Sequence, residues 1–371
     1  MTLEIIGHIY LSEIDHDFEE VHQQLLRLRR PNYQPHQKIV ITHEDHDYFF
    51  PGSVTGVVAH NFFKLIRYLD IPMSALVILT THSRYKESIE PFVSHDRDRP
   101  EVHSLLVSKM TWKNIVPWIN QINNIEKDIK FNAVCIMGTP RSHRVKLAQY
   151  LNLHNFTTIQ YNYNNQSSPD ISRTPPTIKI ISPHNNSLNN LGIIYTMPHR
   201  TNQGWADIPK SSKFEFLANQ PTPVSIQNSN IPNSGIDFYK NYAIDIVVET
   251  NFDYPHIFIS EKTLRPLLAK TPFIMFGPAG TLTYLKSFGF ETFSDCWDEG
   301  YDTVEDPQER FIACTKIVKE IAEWPIEKCQ EICQTLKNKL ENNQKTLLTY
   351  VDNTFKPVYN SFKVPLSDDT Y

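Results

Sequence analysis

No apolar run in this sequence is longer than a β-strand, which excludes a conventional membrane-spanning helix and predicts a soluble globular protein. Cysteine is scarce. The five present, Cys135, Cys296, Cys314, Cys329 and Cys333, are odd in number and scattered, so a disulfide framework is not expected and free thiols are. Cys329 and Cys333 stand four apart on a predicted helix, yet no second pair or neighbouring histidine completes a zinc site. Histidines number 15 without an HExxH or comparable spacing, and no metal site is expected. The formal charge of −5 supplies no general attraction to nucleic acid. The N-terminal MTLEIIGHIYLSEID carries acids where a signal peptide needs a basic region and a cleavage site, and a cytoplasmic location is the expectation.

What the chain does have is length and apolar content. With 371 residues, 40% of them hydrophobic, two domains are expected. The stretch Ile244–Gly280 organises the rest. It reads as two buried strands, IDIVVE and PFIMFG, flanking the helix-like SEKTLRPLLA, a βαβ unit whose first strand opens at the ligand-binding mouth of a parallel sheet. Ser260 is the predicted N-cap. Free backbone N–H groups and the positive end of the helix dipole then lie beside Lys262 and Arg265, an anion site in outline. The plainer alternative has Glu261 favouring the helix start and both cations on a solvated face. Pro266 is expected to kink or delay the helix, which leaves the placing of Arg265 open.

A second stretch, Lys130–Phe156, reads as a strand ending at Gly138, a turn at Thr139-Pro140, and a helix starting near Ser142. Arg141, His143 and Arg144 therefore cluster where a strand delivers the chain to a helix. Two guanidiniums there suit a diphosphate, because the planar fork pairs bidentately with phosphate oxygens; pairing with a surface carboxylate is the alternative.

Elsewhere the pattern is again α/β. The strands IIGHIYL, KIVIT and SALVILTTH alternate with helices over DFEEVHQQLLRLRR, which Pro31 ends, and VTGVVAHNFFKLIRYLD. Tyr85–Arg99 reads as loop, and KMTWKNIVPWINQINNIEKD as a helix kinked at Pro117. Residues 162–241 shift to Asn, Ser and Pro and are read as an insertion of loops and short strands, carrying Tyr195, His199, Arg200 and Trp205 as candidate sugar or base contacts. The acidic GFETFSDCWDEGYD follows as a short strand and loop, its carboxylates expected to cap helices, and two helices split at Pro325 close the chain.

The run VVETN, then Asp253-Tyr254, then ISEKTLRPLLAKTPFIMFG resembles the donor-binding signature of the α1,3-fucosyltransferase family: an acidic-Asn pair after a strand, a Thr/Ser-Glu-Lys triplet, a helix, and a strand ending at Gly. The Arg-x-x-Arg turn ahead of it is similar to the same family and to a group of phage and giant-virus glycosyltransferases. The resemblance implies an α/β fold with two Rossmann-like domains of GT-B type and the ligand cleft between them. It implies an acceptor domain over 1–125, a donor domain over 130–350, and a tail over 351–371. It further implies an inverting, metal-independent transfer from a nucleotide-diphosphate sugar, a GDP-sugar being favoured, to a carbohydrate or other hydroxyl acceptor, in host cytoplasm if the protein is viral. No further cofactor is implied. Within the family's pattern Glu261 holds the ribose, Lys262 and Arg144 the diphosphate, with Arg141, Glu249, Asn251 and Arg265 completing the donor site. The catalytic base is expected from the other domain: Glu44 after KIVIT, with His43, Asp45, His46 and Asp47 as rivals and His60 nearby. Two other readings stand beside this one. One is a glycosyltransferase acting on modified DNA bases, which needs a basic track where the sequence offers only patches such as Arg27–Arg30. The other is an inactive GT-B relative that binds carbohydrate or scaffolds a partner.

Overall fold

The computed structural model describes residues 3–10, 18–30, 32–43, 62–122, 125–137, 141–164, 225–227, 235–254 and 256–366. By their contacts the described residues form two compact units, one running to Lys109 and resuming at Phe355, the other running from Met110 to Thr354.

In the first unit, strands β1 (Glu4–Tyr10), β2 (Gln37–His43), β3 (Leu76–Thr80) and β4 (Glu101–Ser104) form a parallel sheet in the order β1-β2-β3-β4. Helices α1 (Phe18–Leu28), α2 (62–68) and α3 (Tyr85–Val93) connect them. Because parallel crossovers are right-handed, a one-way strand order puts all three helices on one face. The core agrees: Ile39, Ile41, Leu76 and Ile78 pack with Leu25, Phe62, Phe63, Ile66, Ile89 and Val93, all buried. Each such side chain contributes about 1.5–3 kcal/mol. Helix α3 falls where a loop was expected. The helical stripe was present, however, since Tyr85, Ile89 and Val93 recur every four residues and all three are buried. The final residues form helix Lys356–Ser361, and Phe362 meets the first sheet: its carbonyl accepts a hydrogen bond from His8 Nε2 at 2.8 Å and its ring lies 5.1 Å from that of His103.

The second unit contains α4 (Lys109–Ile119, whose first residue belongs to the other unit), which runs through Pro117 and ends two residues later. Its sheet has the order β7-β6-β5-β8-β9: β5 is Phe131–Met137, β6 Ile159–Asn164, β7 Ser225–Gln227, β8 Tyr242–Val248 and β9 Phe273–Phe276. All pairs are parallel except β6 with β7. Every residue of β8 and β9 is buried, which explains their apolar character, interrupted in β8 by Asp245. Most of the predicted insertion lies outside the described residues; β6 takes up its first residues and a 3₁₀ turn, Asp237–Asn241, its last.

Helix α5 (Ser142–His154) joins β5 to β6, while α6 (Glu261–Leu268) joins β8 to β9. From the adjacent strands β5 and β8 the chain thus leaves in opposite directions, which makes their shared carboxyl edge a topological switch point. Val134 pairs with Asp245, and both strands end three residues further on, so α5 and α6 begin at the same edge. Helix α7 (Thr281–Ser287) follows β9, then α8 (Pro307–Ala322), α9 (Ile326–Thr335) and α10 (Lys337–Tyr350). Asp306 caps α8 by accepting from the Gln308 and Glu309 N–H groups, with Pro307 in the first turn where its missing donor costs nothing. Asn132 on β5 holds the other end of α8 through the Ile321 and Trp324 carbonyls. The piece GFETFSDCWDEGYD forms no strand; it is a loop with a 3₁₀ turn at Gly300–Thr303.

Candidate functional site at the switch point of the second sheet

Two stretches far apart in sequence meet at this edge. Arg141 is the N-cap of α5, extended at φ −133° and ψ 151°, and no side chain caps the helix. Half-buried, it makes no hydrogen bond or ion pair among the described residues, although its charge acts on Asp253. Arg144, one turn in, is 2% exposed and donates from Nη2 to the Val248 carbonyl at 3.3 Å. His143 donates from Nε2 to the Glu249 carbonyl at 2.9 Å and stacks on Phe252, with ring centroids 5.4 Å apart. The end of β8 is thereby tied to the start of α5.

Glu249 ties it to α6 as well. Fully buried, its carboxylate accepts from the Thr250 N–H at 3.1 Å, the Ser260 N–H at 3.1 Å, the Ser260 hydroxyl at 2.6 Å and the Thr263 hydroxyl. Ser260 is the N-cap predicted from sequence, accepting from the Lys262 N–H at 3.2 Å. Lys262 Nζ meets Glu261 at 2.7 Å and the Ser260 hydroxyl at 3.4 Å. Asn251 is buried in the loop between β8 and α6.

The electrostatics follow from this crowding. Burial, reinforced by the neighbouring Arg141, pushes the Arg144 guanidinium down to about 10, still charged at neutral pH. Burial also lowers the Lys262 ammonium, with Glu261 pulling it back up and Arg144 pushing it down. Although burial works to raise Glu261, the charge and hydrogen bond of Lys262 hold it below the ordinary carboxylate value. His143 is held well below its usual value by burial and then by Arg144, and is neutral. Arg141, Arg144 and Lys262 gather beside two helix N-termini; of the nearby acids, the Glu249 carboxylate is occupied by four protein donors, Glu261 is paired with Lys262, and Asp253 feels the charges of Arg310 and Arg141. Cations beside helix N-termini are an arrangement that can take an anion.

Arg265 does not join it. Helix α6 starts at Glu261 and runs straight through Pro266, and its inward face carries Arg265 into the interior. There Nε donates to the Tyr239 hydroxyl at 3.0 Å, the guanidinium lies 5.6 and 5.8 Å from the Phe238 and Tyr239 ring centroids, and the Tyr239 hydroxyl donates in turn to Asp245. Arginine one turn into an otherwise amphipathic helix looks the same in sequence whether it faces a ligand or a buried acid, and the acid, Asp245, sits inside an apolar strand.

Arg310 braces the edge and had no signal in the sequence. From α8 it donates to the carbonyls of Gly277 and Phe252, and its guanidinium lies 4.6 Å from the Phe252 ring centroid, joining the loops after β8 and β9. The acidic loop caps, as expected: Asp302 accepts from the Leu282 and Thr283 N–H groups at the start of α7.

Glu44, Asp45, His46, Asp47 and His60 lie outside the described residues, as do Tyr195, His199, Arg200 and Trp205 of the insertion. His43 is described: buried at the end of β2, its Nδ1 is 3.1 Å from the Tyr85 hydroxyl and its ring centroid 5.6 Å from that of His82. A cavity of about 580 Å³ lies at the opposite, amino edge of the second sheet, lined in part by Lys127, Lys270 and Cys333. The ammonium of Lys127 is fully engaged there by the Tyr239 and Tyr242 carbonyls and Thr271 Oγ1.

All five cysteines are free thiols. Among the described residues no group of three or more His, Cys, Asp or Glu side chains is arranged to hold a metal ion, and no helix is long and apolar enough to cross a membrane. No protein-family model matches the sequence, and no curated protein matches it significantly.

Proposed function

We propose that the protein is a glycosyltransferase that binds the diphosphate of a nucleotide-sugar donor at the switch point of the second sheet. One observation carries the reading: two cationic helix starts, from Arg141–Arg144 and Ser260–Lys262, converge on one strand edge although more than a hundred residues separate them. Parallel α/β sheets bind ligands at such a crevice, and phosphate is the ligand that suits two helix N-termini and three cations. The resemblance of the same residues to the fucosyltransferase signature supplies the sugar, the preference for a GDP donor, and inversion.

In this reading Arg141 and Lys262 contact the diphosphate, and Arg144 raises the local potential from beneath. Fixed cations stabilise charge on the departing diphosphate as the glycosidic bond breaks, with no rearrangement needed at that moment. Glu261 holds the ribose when Lys262 turns to the phosphate. A base from the first unit, with Glu44 the candidate, deprotonates the acceptor hydroxyl, and the GT-B arrangement with its cleft belongs to the same proposal.

Thermal unfolding across GDP, UDP, ADP and CMP, repeated with Lys262→Ala and Arg141→Ala, tests it. A ligand that binds only the folded chain raises the midpoint. One diphosphate is expected to stabilise the wild type, and both variants to lose the shift. If no nucleotide shifts the wild type, the donor site is refuted and a carbohydrate-binding or scaffolding role takes its place.

A further inference from the structure

The geometry points to Glu249 as a positioning residue that sets Lys262 for the diphosphate through the hydroxyl of Ser260, without touching the ligand itself. The inference rests on the donor-site reading above. It starts from the direction of each hydrogen bond. Ser260 Oγ has one proton, and it goes to Glu249 Oε2 at 2.6 Å, because the other partners of this oxygen, the Lys262 N–H and ammonium, can only donate. Its lone pairs are then left for the two donors of Lys262, the backbone N–H at 3.2 Å and Nζ at 3.4 Å. The carboxylate therefore orients the hydroxyl, and the hydroxyl holds both ends of Lys262.

The same carboxylate fixes the backbone. Its two oxygens each take one N–H and one hydroxyl: Oε1 those of Ser260 and Thr263, Oε2 those of Thr250 and Ser260. Thus Thr250 and Ser260, at the two ends of the loop between β8 and α6, are held by one side chain. Meanwhile the Glu249 carbonyl accepts from His143 at the start of α5. One residue consequently sets the separation of the two cationic helix starts. A purely structural clamp could use any acceptor, but glutamine cannot substitute. Whichever oxygen becomes NH₂, one backbone N–H, of Thr250 or of Ser260, faces a donor.

The test uses Glu249→Gln, Ser260→Ala and the double variant of the full chain, with GDP, UDP and ADP as probes in titration calorimetry. Each single variant is expected to weaken the diphosphate bound by the wild type by roughly tenfold or more, the loss of a hydrogen bond to a charged group. Because both act through one path, the double variant should be no weaker than the poorer single. Wild-type affinity in Glu249→Gln overturns the inference, and so do independent, multiplying losses, which mean that Glu249 does not act through Ser260. Amide hydrogen exchange supplies a readout without nucleotide. In both single variants Ser260–Thr263 should exchange faster while the amides of β8 and β9 keep their protection. If the wild type binds no diphosphate, the donor reading falls and exchange alone decides the positioning role; unchanged exchange at Ser260–Thr263 overturns it, as does a uniform rise across the second unit.

Discussion

Replacing Arg265 with methionine should destabilise the second unit strongly, more so as pH rises, while leaving diphosphate affinity unchanged. The magnitude follows from Asp245, whose carboxyl burial raises to about 6 even though Arg265 and the Tyr239 hydroxyl work against that rise. A folded-state value above the unfolded 3.8 means that the favourable contribution of this group is complete below 3.8 and is lost as pH climbs through about 6. In the wild type that loss is capped at about 3 kcal/mol, the upward shift taken at about 1.4 kcal/mol per pH unit. Methionine fills similar volume but removes the cation, so the carboxyl stays neutral to higher pH and the loss continues past 6. By about pH 7.5 the variant carries roughly 2 kcal/mol more than the wild type from titration alone. At about pH 5 Asp245 is mostly protonated in both proteins, and the difference shrinks to the lost Tyr239 hydrogen bond and ring contacts, about 1–2 kcal/mol. Urea unfolding at both pH values measures this, and Asp245→Asn in the Arg265→Met background should remove the pH-dependent part. A variant equally destabilised at both pH values would refute the ion-pair argument; one that loses nucleotide while keeping its stability would return Arg265 to the donor site.

The two arginines of α5 should separate by the same logic. Arg141→Ala, which removes a half-buried guanidinium that makes no hydrogen bond or ion pair among the described residues, is expected to lower diphosphate affinity by tenfold or so, one charge-assisted contact, with a melting midpoint within a degree or two of wild type. Arg144→Met, at a site 2% exposed, should lower the midpoint as well as the affinity, and calorimetric titration beside thermal unfolding distinguishes the two. Asp302→Ala should cost about 1–2 kcal/mol in urea unfolding by uncapping α7, with diphosphate affinity unaltered.

Sequence legibility followed range. The βαβ unit and the Ser260 cap depend on periodicity and on pairs a few residues apart, and they could be read; the capping role of the acidic loop is legible from its charge alone, while the N–H groups that Asp302 caps lie 19 and 20 residues away. Helix α3 was missed although its stripe was there, because charge and Pro91 masked Tyr85, Ile89 and Val93. Arg265 and Arg310 could not be assigned. Their partners, Asp245 and Tyr239 for one and the Gly277 and Phe252 carbonyls for the other, lie 20 to 58 residues away and carry no periodic mark. Strand order is equally invisible: strand–helix–strand units give a one-way sheet in the first unit and a reversal in the second.

That reversal gives the charge distribution its meaning. Three helices, α5, α6 and α7, begin after successive strands of the second sheet, and each N-terminus prefers negative charge. At α7 the chain supplies that charge itself, through Asp302 on the first-turn N–H groups. At α5 it does the opposite, leaving the helix without a side-chain cap and adding Arg141 and Arg144. Nor does α6 receive free negative charge. Its cap is a neutral hydroxyl, its Glu261 is matched by Lys262, and its remaining carboxylate, Glu249, is consumed by four donors. Uncompensated positive potential costs folding free energy, and at the third helix the chain avoids that cost with Asp302. Of these three helix starts, the two that the strand reversal brings together are the ones flanked by Arg141, Arg144 and Lys262, which is where an anionic ligand would add negative charge.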